Sequence, residues 1–213
     1  MRQITCDVGR IIVVHKAISR GVRVHCGMIC GMHIDLATGL LARTRQVLSP
    51  HFDARPRDTV PDLVVIHGIS LPPGEFGGAY IDELFTGSLD PDAHPFFRDA
   101  ARTRVSAHAL IRRDGSIVQY VPFQARAWHA GESQYQGRSV CNDFSVGIEL
   151  EGTDVLAYEE AQYESLLHLI RALLAAYPTL SRERIVGHSD IAPGRKTDPG
   201  GAFDWQRLRR SLA

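Results

Sequence analysis

The segment GHSDIAPGRKTDPG, Gly187 to Gly200, holds one histidine, two aspartates and a lysine between glycines, and two prolines stiffen it. A loop of that composition runs over a surface, yet its side chains are of the kind that hold metals or move protons. Imidazole and carboxylate both bind zinc, and a catalytic zinc takes three protein ligands and leaves its fourth position to water. His188 and Asp198 offer two such ligands from this one segment. His67 offers a third, near the C-terminal end of the apolar run DLVVIHGI and directly before Gly68 and a loop. Taken singly, each has an ordinary reading as a hydrogen-bonded core histidine or a turn-forming carboxylate. As a set they make a testable metal centre. No HExxH pair occurs, so the helix-borne metalloprotease pattern does not describe the chain.

A hydrolase also needs a base and a cation. FSVGIELEG, Phe144 to Gly152, alternates like a strand, with Val146, Ile148 and Leu150 on one face. Ser145, Gly147, Glu149 and Glu151 take the other. Glu149 is the candidate base, beside a glycine that leaves room for a ligand. A solvated strand carboxylate is the plainer alternative, and Glu151 shares that face. Lys196 is separated from Asp198 by one residue, and Lys16 is the only other lysine in the chain. Lysine presents a compact ammonium whose pKa falls in a buried or cation-rich site, where arginine stays charged. It therefore suits a group that stabilises an oxyanion and can also hand over a proton.

These groups must be carried by a compact fold, and the text from Ser49 onward reads as a single α/β domain. Asp62 to Ile69 is a near-continuous apolar run of strand length, hence a buried strand. SLPPGEFGG follows as a loop, with short helices at AYIDELF and AHPFFRDAA. SAHALIRRDGSIVQYVP gives two strands joined at Asp114-Gly115, a hairpin signal. Tyr163, Leu166, Leu167, Ile170, Leu173, Leu174 and Tyr177 recur at helical spacing until Pro178 stops the run. Phe203, Trp205, Leu208 and Leu212 mark a last amphipathic helix.

Residues 1–31 read differently and are expected to be an extension outside the catalytic fold of residues 32–213, unstructured or loosely attached. Their HCGMICGMH suggests a metal site of His25, Cys26, Cys30 and His33, but closed zinc sites pair short spacings across a longer gap, and this cluster does not. MHIDLATGLLARTRQ, from Met32, has the character of a chain start.

The chain has 213 residues, and its 24 basic residues balance 24 acidic ones, so nothing in its charge recruits nucleic acid or an anionic membrane. No apolar run approaches the roughly 20 residues that span a bilayer. The longest near the N-terminus, IIVV, falls short of the roughly 7–15 of a secretory signal core, which points to the cytoplasm. Three of four cysteines precede Met32, so the main body holds one thiol and no disulfide framework.

VVIHGISLPPGEFGG, LFTGSLDPDAHPFF, VSAHALIRRDGSIVQYVPF, RAWHAGESQYQGR, CNDFSVGIELEGTD and GHSDIAPGRKTDPG, in that order, closely resemble the AmpD family. That family comprises cytoplasmic zinc-dependent N-acetylmuramoyl-L-alanine amidases of peptidoglycan recycling, related to phage amidase lysozymes and peptidoglycan recognition proteins. The resemblance runs from about Met32 to the end. It implies an α/β (α+β) fold with a mixed central sheet flanked by helices. It implies zinc on His67, His188 and Asp198, proton acceptance by Glu149 and transition-state stabilisation by Lys196. Arg104, Ala127 and Trp128 match expected substrate contacts, although Trp128 equally suits core packing and Arg104 a surface pair. The implied partner is a 1,6-anhydro-N-acetylmuramyl peptide, met by a monomer, with neither nucleic acid nor membrane involved. Two rivals are a periplasmic amidase acting on intact wall and a non-catalytic muropeptide-binding module. Three departures stand out. Gly68 replaces a common asparagine, Val140 replaces a frequent arginine before Cys141, and residues 1–31 have no counterpart.

Overall fold

Six strands make the main sheet: β1 (Arg45–Gln46), β2 (Leu63–Ile69), β3 (Ala109–Ile111), β4 (Ile117–Gln119), β5 (Ser145–Glu151) and β6 (Ile185–Gly187). They lie in the order β6-β2-β5-β3-β4-β1. Every neighbouring pair is parallel except the β3–β4 hairpin, so the sheet is mixed as expected. The coordinates are those of a computed structural model and describe residues 32–213. The boundary of the 1–31 extension and the His25, Cys26 and Cys30 part of the N-terminal cluster lie outside those residues; His33 is exposed.

The hairpin turns where Asp114-Gly115 placed it, through a three-residue loop. Arg112 N–H donates to Ser116 O and Gly115 N–H to Arg112 O, with Gly115 at φ +82°. This is a type I turn closed by a left-handed glycine. Two short helices, α1 (Tyr80–Thr86) and α2 (Phe97–Ala100), precede helix α3 (Glu160–Ala176), which packs its Tyr163, Leu166, Ile170 and Leu173 against Val64, Ile66, Val146 and Ile148 of the sheet. Each such fully buried aliphatic side chain contributes roughly 1.5–3 kcal/mol. Gln162 in the first turn of α3 accepts from Glu159 N–H and donates to the carbonyls of Ile111 and Glu151, tying the helix to the ends of β3 and β5. The last helix, α5 (Trp205–Leu212), is capped by Asp204, which accepts from Arg207 N–H; Phe203 precedes it and packs on Tyr158 and Tyr163.

Two expectations need correction. The polar face of β5 is not solvated. All seven of its residues are buried, because the helices cover one face while the segment from Ala127 to Phe144 packs over the other. The segment after Gly187 is not loop throughout, since His188–Ile191 forms one helical turn, α4, whose side-chain cap is Asp190 accepting from Gly187 N–H. Among the described residues no helix is long and apolar enough to cross a membrane.

Candidate active site

Parallel pairing performs the first step of assembly. Glu149 lies opposite His67 in the β5–β2 register, and Gly187 lies opposite Ile66 in β6–β2, which sets His188 beside His67. Three adjacent strands thus deliver their C-terminal ends to one place, the usual location of ligand sites in open parallel sheets. The segment after α4 folds back, with Ser189 N–H donating to Asp198 O, and brings the third candidate ligand, a carboxylate, over the first two rings.

His67 Nδ1 and His188 Nδ1 are 3.0 Å apart, and each is 3.1 Å from Asp198 Oδ2. Both histidines are buried and Asp198 is half-buried. Burial lowers the His67 pKa to about 4, so its ring is neutral at neutral pH. His188 Nε2 faces the carbonyl of Ala130 at 3.1 Å, so that nitrogen carries the ring proton and Nδ1 presents a lone pair. Lone pairs and a carboxylate oxygen packed this closely repel one another unless a cation sits among them. Tetrahedral ligands about 2.0–2.1 Å from zinc stand about 3.3 Å apart, close to these edges. Two imidazoles and one carboxylate are a fitting donor set for such an ion. Among the described residues no other group of three ligand atoms comes together in this way.

The triangle opens on a cavity of about 190 Å³ that Glu149 and Lys196 also line. Glu149 is buried, and its Oε2 has no hydrogen-bond partner. Burial, reinforced by the Asp198 charge and opposed by Lys196, pushes its pKa well above the carboxylate range. Glu151 differs. Its carboxylate accepts from Gly77 N–H at 2.5 Å and Arg113 N–H at 3.2 Å and lies 3.5 Å from the Arg112 guanidinium, so it is a tether for two loops. Lys196 stands exposed at the cavity rim, which removes the burial on which the preference for lysine rested; a compact mobile charge remains.

The three expected substrate contacts do not line this cavity. Arg104 is exposed, one residue before Val105, which does line it, and among the described residues no carboxylate comes within salt-bridge distance of it. Ala127 is fully buried in the core. Trp128 is half-buried and its ring stacks on His51; its backbone N–H donates to Ser106 Oγ at 3.0 Å, and Ser106 is itself on the cavity wall. Sequence reasoning passed over the neighbouring residue, His129, although the quoted RAWHAGESQYQGR contains it. Its ring lies over Gly147, where a Cβ would come 2.4 Å from the ring, so the room beside Glu149 is taken by imidazole and not by ligand.

The departures also have local consequences. A Cβ at Gly68 would lie 2.4 Å from the Tyr158 hydroxyl, which donates to Pro199 O at 2.9 Å. Tyrosine therefore fills the space beyond His67 and secures the backbone just after Asp198. Val140 sits at φ +58° with its apolar side chain 44 % exposed, and supplies no charge at that point.

Known proteins share this arrangement of sequence and fold. The family model described as N-acetylmuramoyl-L-alanine amidase matches residues 57–201. The 1,6-anhydro-N-acetylmuramyl-L-alanine amidase AmpD of Escherichia coli (strain K12) is 65 % identical over 174 residues, 82 % of this chain and 94 % of that protein. The crystal structure of a selenomethionine AmpD derivative matches with a TM-score of 0.82 at 60 % identity, covering 85 % of this chain and 100 % of that one. The E. coli amidase AmiD, solved in complex with anhydro-N-acetylmuramic acid-L-Ala-D-gamma-Glu-L-Lys, matches at 0.52 and 28 % identity, covering 85 % and 65 %. Because the matched span takes in all three strand ends and the returning loop that carries Asp198, the chain belongs to the N-acetylmuramoyl-L-alanine amidase family.

Proposed function

We propose that this chain is a zinc amidase that hydrolyses the bond between the lactyl carbonyl of 1,6-anhydro-N-acetylmuramic acid and the amino group of L-alanine. The carrying observation is the triangle of His67 Nδ1, His188 Nδ1 and Asp198 Oδ2 beside an unpartnered buried carboxylate. The AmpD relatives, named for that bond, support the substrate. His67, His188 and Asp198 would hold the metal, which supplies a bound water with a pKa near about 7 and a Lewis acid for the carbonyl.

The protein's own groups do the rest. Glu149, whose raised pKa makes it the stronger base, accepts a proton from water as the oxygen attacks the carbonyl carbon. Lys196 places positive charge where the oxyanion develops. Glu149 then passes its proton to the departing nitrogen, leaving a lactyl carboxylic acid and a free L-alanyl peptide. Val105, Leu84 and Phe85 line the cavity with apolar surface that limits water around the reacting bond.

The substrate is a small sugar-peptide already released from the wall, and we place the enzyme in the cytoplasm, acting as a monomer in wall recycling. The AmpD relatives, named for the 1,6-anhydro sugar, support a released sugar-peptide as substrate, and a formal charge of zero offers nothing to nucleic acid. The test is mass spectrometry of an anhydro-muropeptide incubated with purified protein, with and without a chelator. Free peptide is expected, its release halted by chelation and restored by zinc. Intact substrate under zinc-replete conditions would overturn the assignment.

A further inference from the structure

From the cavity wall at His129, a row of buried polar groups runs inward and touches His67 on the side away from His188 and Asp198. His67 Nε2 lies 2.9 Å from His129 Nδ1, His129 Nε2 lies 3.1 Å from Ser145 Oγ, and Ser145 Oγ lies 2.6 Å from Cys141 O. Protons in this row can be assigned by elimination. A carbonyl oxygen only accepts, so the single proton of Ser145 is committed to Cys141. Ser145 Oγ must then accept from His129 Nε2–H. The neutral ring of His129 has no second proton, so its Nδ1 is an acceptor. His67 must therefore donate from Nε2, which leaves its Nδ1 bare and aimed at His188 and Asp198.

The row is built to hold this one arrangement. Asn142 Oδ1 accepts from both His129 N–H and Ala130 N–H, at 3.1 and 2.8 Å, fixing the backbone that carries the ring. Gly147 leaves a face free for that ring, since a side chain there would overlap it. His67, His129, Ser145, Cys141 and Asn142 are all buried, so water competes little for these bonds.

We propose that His129, oriented by Ser145, is a positioning residue that locks His67 in the tautomer whose Nδ1 lone pair serves the metal. It rests on the zinc reading above and adds to it a residue outside the ligand set. Partners of this kind, behind a ligating histidine, typically change metal affinity by roughly 10–100-fold when removed.

The experiment pairs zinc affinity, measured by competition with a chromogenic chelator, with histidine ring ¹⁵N–¹H correlation spectra of the metal-free protein. In the unaltered protein the spectra should show His67 as a single Nε2–H tautomer. His129→Leu and Ser145→Ala should each produce a tautomer mixture at His67 and weaken zinc binding by roughly 10–100-fold. His129→Asn keeps an acceptor at the Nδ1 position and should restore a single tautomer and near-normal affinity. Equal losses in His129→Asn and His129→Leu would mean a merely structural role and would overturn the proposal, as would an unchanged His67 spectrum in Ser145→Ala. Should His67→Ala bind zinc as tightly as the unaltered protein, the ligand assignment fails instead, a distinct result.

Discussion

Glu149 and Glu151 stand two residues apart on one face of β5, and hydrogen bonding separates their roles. Glu151 has its oxygens engaged by Gly77 and Arg113 N–H groups, whereas Glu149 keeps one oxygen unpartnered within the cavity. Glu149→Gln is expected to lower kcat by roughly 10²–10⁴-fold with zinc content unchanged, since only proton transfer is lost. Glu151→Gln should instead lower stability by roughly 1–3 kcal/mol, because an amide has one acceptor oxygen for two half-buried N–H donors. Steady-state kinetics and denaturant titration of both variants decide the matter, and the reverse pattern would exchange the two roles. The sequence alone could not separate them, because alternation assigns a face but not a partner. It did offer His67, His188 and Asp198 as one candidate set, which the fold brings together, since strand ends and a proline-stiffened loop are local text. His129 escaped because its meaning lies in two contacts, His67 and Ser145, distant in sequence and invisible to spacing.

At the scale of elements, local signals placed the strands and helices well. The apolar run of β2, the Asp114-Gly115 turn and the heptad-like spacing of α3 each depend on neighbours a few residues away. The burial of β5 on both faces did not show, because its cover comes from a segment with little regular structure. Strand and cover meet at Gly147, where the His129 ring rests on the strand backbone. Gly147→Ala drives a methyl group into that ring, and overpacking of this kind costs roughly 1–3 kcal/mol. For a domain of this size the melting temperature should fall by roughly 2–12 °C. The displaced ring should also weaken zinc binding, so both effects must appear together in calorimetry and metal titration. A variant as stable and as zinc-avid as the parent would show that the cover is loose.

Across the whole molecule, the equal numbers of acids and bases suggest little dependence of stability on pH, yet the interior says otherwise. His108 is fully buried, and burial, aided by the Arg55 charge, lowers its pKa from 6.5 to about 3. Its Nδ1 accepts from Gly147 N–H and its Nε2 faces Ala125 O, so the folded protein holds it neutral. Below pH 6.5 the unfolded chain takes up a proton that the folded one refuses. Stability supplied by this residue is therefore present above pH 6.5 and is lost as pH falls toward about 3, by up to about 1.4 kcal/mol per pH unit. His129, shifted the same way by burial, steepens the decline. His108→Asn keeps an acceptor for Gly147 N–H and has nothing to protonate. Compared in chelator-treated protein by urea unfolding between about pH 4.5 and 7.5, the variant should start less stable and lose stability more slowly on acidification. Parallel curves would place the acid sensitivity in the carboxylates, and the histidine-rich interior would then be no more than packing. The expected divergence would mean that His108, held neutral by its burial against Gly147, sets part of the acid limit of the fold.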